Sequence, residues 1–149
     1  VDGETLRESL IMKYFLDTNI FLRSVVVEDK KTSDECKRLF AEIKKRSISA
    51  VTAGIVSAEI AWVLSKSYEF PKEELIKILD GLANSSGLEI CNDYDLMKAV
   101  EIYKKFNVKY IDAMIASLPK VRSGEWTVVS YDQDFKKLPV KWMKPGEVA

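Results

Sequence analysis

Histidine is absent from this chain of 149 residues. Its absence excludes Ser-His-Asp and Cys-His catalytic triads, histidine general bases and zinc sites with histidine ligands. Catalytic chemistry in such a chain has to use other titratable side chains. The numerous acidic residues are therefore the first candidates, provided that something offsets their charge.

Cysteine is scarce as well, since Cys36 and Cys91 are the two in the chain. Two thiols are too few for a disulfide framework, and their separation does not fit a zinc site. Cys36 lies in a helical pattern and Cys91 in a strand-like one. Both are therefore predicted to be core thiols.

The chain also lacks net charge and long apolar runs. Its 23 basic residues balance its 23 acidic ones, so any contact with nucleic acid has to use a local basic patch. No apolar run approaches the ~20 residues of a membrane span. The first eleven residues lack the pattern of a secretory signal, and we therefore expect a cytoplasmic protein.

Apolar residues are plentiful, at 47% of the chain, which is enough for one hydrophobic core. Residues 1–11 are mixed polar and precede Met12. We expect residues 1–11 to be a tag or a disordered extension, and residues 12–149 to form a single domain.

Strand-like and helical patterns alternate along the domain. Strands are predicted over residues 13–16, 48–51, 88–91, 127–130 and, weakly, 140–143. Helices are predicted over residues 19–26, 32–46, 52–68, 73–83, 92–106 and 110–118, with a turn or short helix at 132–137. This alternation predicts an α/β fold with a parallel sheet that is covered on both faces.

Local signals predict where three of the helices begin. Thr32 opens a capping box with Glu35. Thr52 is predicted to cap the next helix, and Asn92 or Asp93 the helix that ends near Phe106.

Four acidic residues lie at the edges or inside of the most apolar stretches, namely Asp17, Glu59, Asp112 and Asp132. An ionised carboxylate in such surroundings is costly unless it is paired or bound to a metal. Each acid also has an ordinary explanation: a helix cap, a glutamate reaching out of an apolar stripe, a first-turn acid and a turn aspartate. Glu59 resists the ordinary explanation best, because its helical neighbours Ile55, Val56, Trp62 and Val63 are all apolar.

If the four carboxylates converge, their repulsion has to raise their pKa values or attract a cation. Sites made only of oxygen ligands suit Mg²⁺ or Mn²⁺, and a metal-bound water can attack a phosphodiester without any histidine. Asp134 is an alternative or additional ligand. Thr18, Asn19 and Ser130 are predicted to orient a carboxylate or a water, although each equally suits a cap or a turn.

Paired lysines occur at residues 30–31, 104–105 and 136–137. They fit phosphate contacts, but solvated helix ends are the favoured interpretation.

Four motifs in order give the chain a resemblance to PIN-domain proteins. Residues 15–21, Phe-Leu-Asp-Thr-Asn-Ile-Phe, resemble the opening signature of that family, and residues 57–60, Ser-Ala-Glu-Ile, resemble its central glutamate motif. Residues 110–116, Tyr-Ile-Asp-Ala-Met-Ile-Ala, and residues 129–135, Val-Ser-Tyr-Asp-Gln-Asp-Phe, resemble its third and fourth motifs. The resemblance runs from Met12 to about Pro139.

The resemblance implies a three-layer α/β/α sandwich with a central, mainly parallel sheet. It also implies a ribonuclease directed at single-stranded RNA, in which Asp17, Glu59, Asp112 and Asp132 hold Mg²⁺ or Mn²⁺ and activate water to leave a 5′-phosphate. Small members resemble VapC-type toxins, which dimerise and are inhibited by a cognate antitoxin. We therefore expect a homodimer and an antitoxin partner. At the fourth position family members vary between Asp and Asn, so Asp134 is a candidate for the same role.

Two other functions remain open at this stage. The chain is alternatively a non-catalytic PIN-like module that binds RNA or a protein partner, although four retained acids facing phosphates argue against it. An aspartyl-phosphate phosphatase or receiver domain is disfavoured, because the phosphatase pattern requires a second aspartate where this chain has Asn19. The resemblance does not distinguish a toxin from an RNA-processing enzyme or an inactive relative.

Overall fold

Five short strands form one sheet in the computed structural model, which describes residues 12–148. The strands are β1 (Lys13–Leu16), β2 (Ser49–Thr52), β3 (Leu88–Ile90), β4 (Trp126–Val129) and β5 (Trp142–Met143). They are all parallel and follow the order β3-β2-β1-β4-β5 across the sheet. The predicted extension, residues 1–11, lies outside the described residues.

Helices cover both faces of this sheet. They are α1 (Thr18–Val25), α2 (Lys30–Lys44), α3 (Gly54–Lys66), α4 (Lys72–Ala83), α5 (Leu96–Lys105), α6 (Tyr110–Ser117) and α7 (Pro119–Arg122). Helices α1 to α4 contact one another along the chain, and α5 to α7 form a second group. The predicted α/β/α sandwich is confirmed. Within residues 12–148, no helix has both the length and the apolar character that crossing a membrane requires.

The central strands β1 and β4 are the most buried part of the sheet. Phe15, Leu16, Val128 and Val129 have no exposed surface. Helices on both faces explain why these strands show continuous apolar runs rather than alternation. Leu16 pairs with Val129, so the chain leaves both strands at the same edge of the sheet.

The predicted start of α2 is wrong by two residues. Asp29 caps the helix, and its carboxylate accepts a hydrogen bond from the backbone N–H of Thr32 at 3.2 Å. The Thr32 hydroxyl bonds back to the Asp29 carbonyl instead of capping a turn of its own. Asp29, three residues upstream, therefore binds the Thr32 amide that the predicted capping box assigned to Glu35.

Thr52 does not cap α3 either, because it is the last residue of β2 and its hydroxyl donates to the carbonyl of Leu16 at 2.9 Å. The amide of Gly54 donates to Asn92 Oδ1 at 2.6 Å, and that of Ile55 donates to the Tyr94 hydroxyl at 3.1 Å. Asn92 and Tyr94 follow β3, so a distant loop satisfies the amino terminus of α3.

With Asn92 bound to α3, helix α5 takes a different cap from the predicted Asn92 or Asp93. The Asp95 carboxylate accepts a hydrogen bond from the Lys98 amide at 3.1 Å and starts the helix.

Two glycines give a matched test of backbone conformation. Gly87 has φ +84°, and a Cβ there would lie 2.7 Å from the Ile43 carbonyl oxygen, whereas a Cβ on Gly81 in α4 would meet nothing within 4 Å. We expect Gly87→Ala to lower the free energy of unfolding by about 1–3 kcal/mol. Gly81→Ala should raise it by about 0.5–1 kcal/mol. Urea unfolding followed by circular dichroism measures both, and an unchanged Gly87→Ala protein would contradict the strain argument.

Candidate metal centre

The candidate site lies at the carboxyl edge of the sheet, between β1 and β4. From β1 the chain crosses to β2 on one side, while β4 lies on the other side of β1. In parallel α/β sheets such a reversal opens a crevice beyond the strand ends, where ligands bind. Asp17 directly follows β1, and Ser130 directly follows β4.

A serine hydroxyl ties the two strand ends together. Ser130 donates to Asp17 Oδ2 at 2.7 Å, and its oxygen accepts bonds at 3.0 Å from the Asn19 side-chain amide and from the Asp132 backbone N–H. Asn19 Oδ1 in turn accepts a bond from the Tyr131 amide at 3.2 Å. Asn19 and Ser130 therefore orient the Asp17 carboxylate and the turn that carries Asp132.

Asp17 caps α1 and is also strongly desolvated. Its Oδ1 accepts a bond from the Thr18 amide at 2.8 Å, and only 5% of the residue is exposed. Burial raises the pKa of Asp17 to about 6, although the Ser130 and Thr18 hydrogen bonds pull it down. The negative charge of Glu59 pushes the same pKa up. An ordinary cap would not carry this penalty.

Asp112 is the least exposed acid of the site. It lies in the first turn of α6 with 1% of its surface exposed, and its Oδ2 has no hydrogen-bond partner. Burial raises the pKa of Asp112 to about 7, and the charges of Asp17, Asp132 and Asp134 add to the effect. The first-turn position favours a negative charge through the helix dipole, but it does not remove the desolvation cost.

Asp112 is one of three carboxylates that converge at this edge of the sheet. Asp112, Asp132 and Asp134 each present an oxygen atom, and these atoms lie within 4.8 Å of one another. Asp132 caps the 3₁₀ turn Gln133–Lys137, and its Oδ1 accepts the Asp134 amide at 2.9 Å. This turn brings both aspartates of the fourth motif toward Asp112.

The donor set fits a hard divalent cation. It consists of carboxylate oxygens alone, which suit Mg²⁺ and Mn²⁺. The buried Asp112 Oδ2 lacks any partner, as an oxygen awaiting a cation would. Burial raises the pKa values of Asp17 and Asp112, and neighbouring negative charges add to the shift, so a bound cation would relieve the cost of ionising both acids.

A family model described as the PIN domain matches residues 14–141 of the chain. The chain belongs to the PIN-domain family.

Solved structures resemble this PIN domain over nearly its whole length. One is a chain from the crystal structure of VapBC2 of Rickettsia felis bound to a DNA fragment from the promoter. It has 25% identity and a TM-score of 0.64, with 89% of this chain and 98% of that chain covered. Another is a chain of a toxin–antitoxin complex from Klebsiella pneumoniae, with 16% identity, a TM-score of 0.56, and coverage of 91% and 99%. No curated protein matches the sequence significantly.

Glu59 lies beside the three-aspartate set of this PIN domain rather than within it. It projects from the middle of α3, is partly buried and lies close enough to raise the pKa of Asp17. Its apolar neighbours do not all belong to the core, since Trp62 is 63% exposed. The apolar spacing around Glu59 is therefore weaker evidence for a buried acid than the sequence suggested.

The side chain of Thr18 takes no part in the hydrogen-bonded network of the site. Its hydroxyl is buried without a partner, in contrast to the bonded side chains of Asn19 and Ser130. Its backbone amide is what contacts Asp17.

Two lysines pair with aspartates of the site. Lys109 was not considered from the sequence, and Lys137 was considered only as a phosphate contact or a solvated helix end. Lys109 Nζ lies 3.1 Å from Asp132 Oδ2, and Lys137 Nζ lies 2.9 Å from Asp134 Oδ1. Lys109 occupies the cap position of α6 without any capping bond from its side chain. A cation at the positive end of a helix is unfavourable. A lysine directly before the predicted helix 110–118 was therefore the sequence feature that could have indicated a nearby acidic site.

The raised pKa of Asp112 predicts how stability depends on pH. In EDTA, folded Asp112 keeps its proton up to about pH 7, whereas the unfolded carboxyl loses it near 3.8. The stabilising contribution is full below the unfolded pKa and is lost as pH rises toward 7. We expect Asp112→Asn to be more stable than the parent protein at pH 8, by on the order of 2 kcal/mol, and equally stable at pH 4.

Urea unfolding in EDTA across this pH range provides the measurement. Asp80→Asn, which alters an exposed acid of α4, should unfold like the parent at every pH. A stability gain for Asp112→Asn that is the same at pH 4 and pH 8 would rule out the linkage.

Proposed function

We propose that this PIN domain, spanning residues 12–149, is an endoribonuclease that depends on Mg²⁺ or Mn²⁺ and cleaves single-stranded RNA. The observation that carries the proposal is the convergence of the Asp112, Asp132 and Asp134 carboxylates, one of which, Asp112, has a buried Oδ2 without a hydrogen-bond partner. A surface that only bound RNA would gain nothing from desolvated negative charge facing phosphates.

The proposed ligands are Asp17, Glu59, Asp112, Asp132 and Asp134. The closest set of oxygens comes from Asp112, Asp132 and Asp134. Negative charge is added by Asp17, which follows β1, and by Glu59 in α3. A bound Mg²⁺ or Mn²⁺ would supply Lewis-acid polarisation of the phosphate and lower the pKa of water. A 5′-phosphate product is proposed from the resemblance to the family.

The chain's own residues hold this geometry before any ligand arrives. Ser130 fixes the Asp17 carboxylate through a hydrogen bond to Oδ2, and Asn19 fixes Ser130. The 3₁₀ turn after β4 places Asp132 and Asp134 two residues apart on the same side. Near neutral pH the buried Asp112 retains a proton in part of the population, which cation binding displaces.

We further propose that the protein is the toxin of a toxin–antitoxin pair, with a cognate antitoxin as its partner. Support comes from the Rickettsia felis VapBC2 complex and the Klebsiella pneumoniae toxin–antitoxin complex, whose chains have the same fold. We also propose a cytoplasmic location, where an RNA substrate is present.

Cleavage assays on the ligand variants test the nuclease. Glu59→Gln and Asp112→Asn should each lower cleavage of single-stranded RNA in Mn²⁺ by at least about 100-fold, because even residues that only support metal ligands cost 10–100-fold. Both proteins should remain folded by circular dichroism. Glu73→Gln, an exposed acid of α4, is the control and should cleave normally. Full activity in either site variant, or activity that persists in EDTA, would refute the metal nuclease.

A homodimer is also part of the proposal, and exposed apolar side chains on α5 support it. Met97 is 82% exposed, and Leu96, Val100 and Tyr103 lie on the same helix with 41–56% exposed. Four exposed apolar side chains on one short helix suit a protein–protein contact better than a solvated surface. Leu22 and Trp142 are partly buried and pack against the core, so they do not contribute to this surface.

Charge placed on α5 should separate the two copies. We expect sedimentation equilibrium to give a dimer mass for the parent protein and a monomer mass for Val100→Glu combined with Tyr103→Glu. Ile76→Glu on α4, where the parent side chain is 48% exposed, is the control and should stay dimeric. A parent protein that is monomeric at high micromolar concentration would exclude the dimer.

A further inference from the structure

Two lysines neutralise the acidic centre, and each takes a different aspartate. Lys109 Nζ lies 3.1 Å from Asp132 Oδ2, and Lys137 Nζ lies 2.9 Å from Asp134 Oδ1. Both lysines come from segments that already border the site. Lys109 directly precedes α6, and Lys137 ends the 3₁₀ turn. The cations are thus built into the elements that carry the aspartates.

The carboxylates hold Lys109 at an otherwise unfavourable place. Partial burial lowers the pKa of Lys109, but the charges of Asp112 and Asp132 outweigh that effect and hold the pKa above its usual value. The helix end offers this ammonium no compensation, because the free amides of α6 repel a cation. Its position is explained by the acids alone.

Lys137 has a second anchor. Besides Asp134, its Nζ donates to the carbonyl of Asn107 at 3.2 Å. Asn107 lies in the loop between α5 and α6, so this lysine connects that loop with the turn after β4. The two lysines therefore border the carboxylate cluster from adjoining segments.

The lysines use oxygens that a divalent cation would need. Asp132 Oδ1 already accepts the Asp134 amide, so Lys109 holds the remaining oxygen of that carboxylate. A cation that binds Asp132 through Oδ2 has to displace the ammonium or share the oxygen with it. The Lys109 and Lys137 side chains are 61% and 49% exposed, so both ammonium groups are able to turn toward solvent.

A contribution to stability is a weak explanation for why the two lysines lie beside the aspartates. Exposed pairs of this kind contribute between nothing and about 1 kcal/mol to stability. The chain has no net charge with which to attract RNA, so it needs cations at the site of cleavage. Lys109 and Lys137 are the cations in contact with the acidic cluster within residues 12–148.

We propose that Lys109 and Lys137 are exchangeable cations: each neutralises a site aspartate in the metal-free protein and contacts a phosphate of single-stranded RNA once that aspartate takes up a divalent metal. This inference rests on the proposed function, because it requires both a metal at the carboxylates and a phosphodiester substrate. It assigns the two lysines to substrate positioning rather than to the chemical step.

Metal binding without RNA gives the first test. Mn²⁺ titrated calorimetrically into Lys109→Gln and Lys137→Gln should bind about two- to fivefold more tightly than to the parent protein, since a competing ammonium has been removed. Lys44→Gln makes the same charge change at the end of α2, five residues before β2 enters the opposite edge of the sheet. It should leave Mn²⁺ affinity unchanged.

Cleavage kinetics give the second test. At saturating Mn²⁺, each site variant should raise KM for a single-stranded RNA and change kcat much less. The slope of log(kcat/KM) against log[NaCl] should become shallower by about 0.7 for each lysine removed. Lys109→Arg keeps the charge and should restore the parent slope, whereas Lys44→Gln should keep both KM and slope.

The outcomes separate this inference from the function on which it rests. Weaker Mn²⁺ binding by Lys109→Gln and Lys137→Gln would mean that the lysines support the metal site, and it would overturn the exchange. Unchanged Mn²⁺ affinity together with an unchanged salt slope would also overturn it, while leaving a working nuclease. A parent protein that neither binds Mn²⁺ nor cleaves RNA would remove the proposed function itself.

Discussion

Desolvated negative charge at one edge of the sheet is the constraint on which the rest of the site depends. Asp17 and Asp112 are almost fully buried, and burial moves both pKa values toward neutrality. An acid in that condition is stable only where something supplies protons, hydrogen bonds or a cation. The hydroxyl of Ser130 and the ammonium of Lys109 partly meet that need, and the unpartnered oxygen of Asp112 shows that it is not met in full.

Sheet topology explains why the charge accumulates there. A central β1 flanked by β2 and β4 opens a crevice at the strand ends, because successive crossovers leave in opposite directions. Leu16 pairs with Val129, so Asp17 and Ser130 leave the sheet side by side. Residues more than a hundred positions apart thereby share one hydrogen bond. Burial shields Asp17 and Asp112 from water, whereas the Asp132 and Asp134 side chains keep 20% and 31% of their surface exposed.

Local patterns predicted the elements well and their ends poorly. The predicted strands all lie within about two residues of the observed ones. The prediction has its clearest physical basis in β1 and β4, because a strand buried on both faces needs apolar residues throughout. The predicted caps Thr32 and Thr52 were wrong. The nearby Asp29 caps α2 instead, and residues of a distant loop bind the first amides of α3. Asn92 and Tyr94 cap α3 from beyond β3, and no spacing within the helix reveals such a partner.

The sequence by itself determined the absence of histidine, the alternation of strands and helices, and the identity and order of the acidic residues. Only the tertiary structure decided that Asp134 belongs to one set with Asp112 and Asp132, that Trp62 near Glu59 is exposed, and that lysines pair with two of the acids. Periodicity reports which face of an element is apolar. Desolvation and Coulomb energies depend on distances through space, and those distances exist only after the chain has folded.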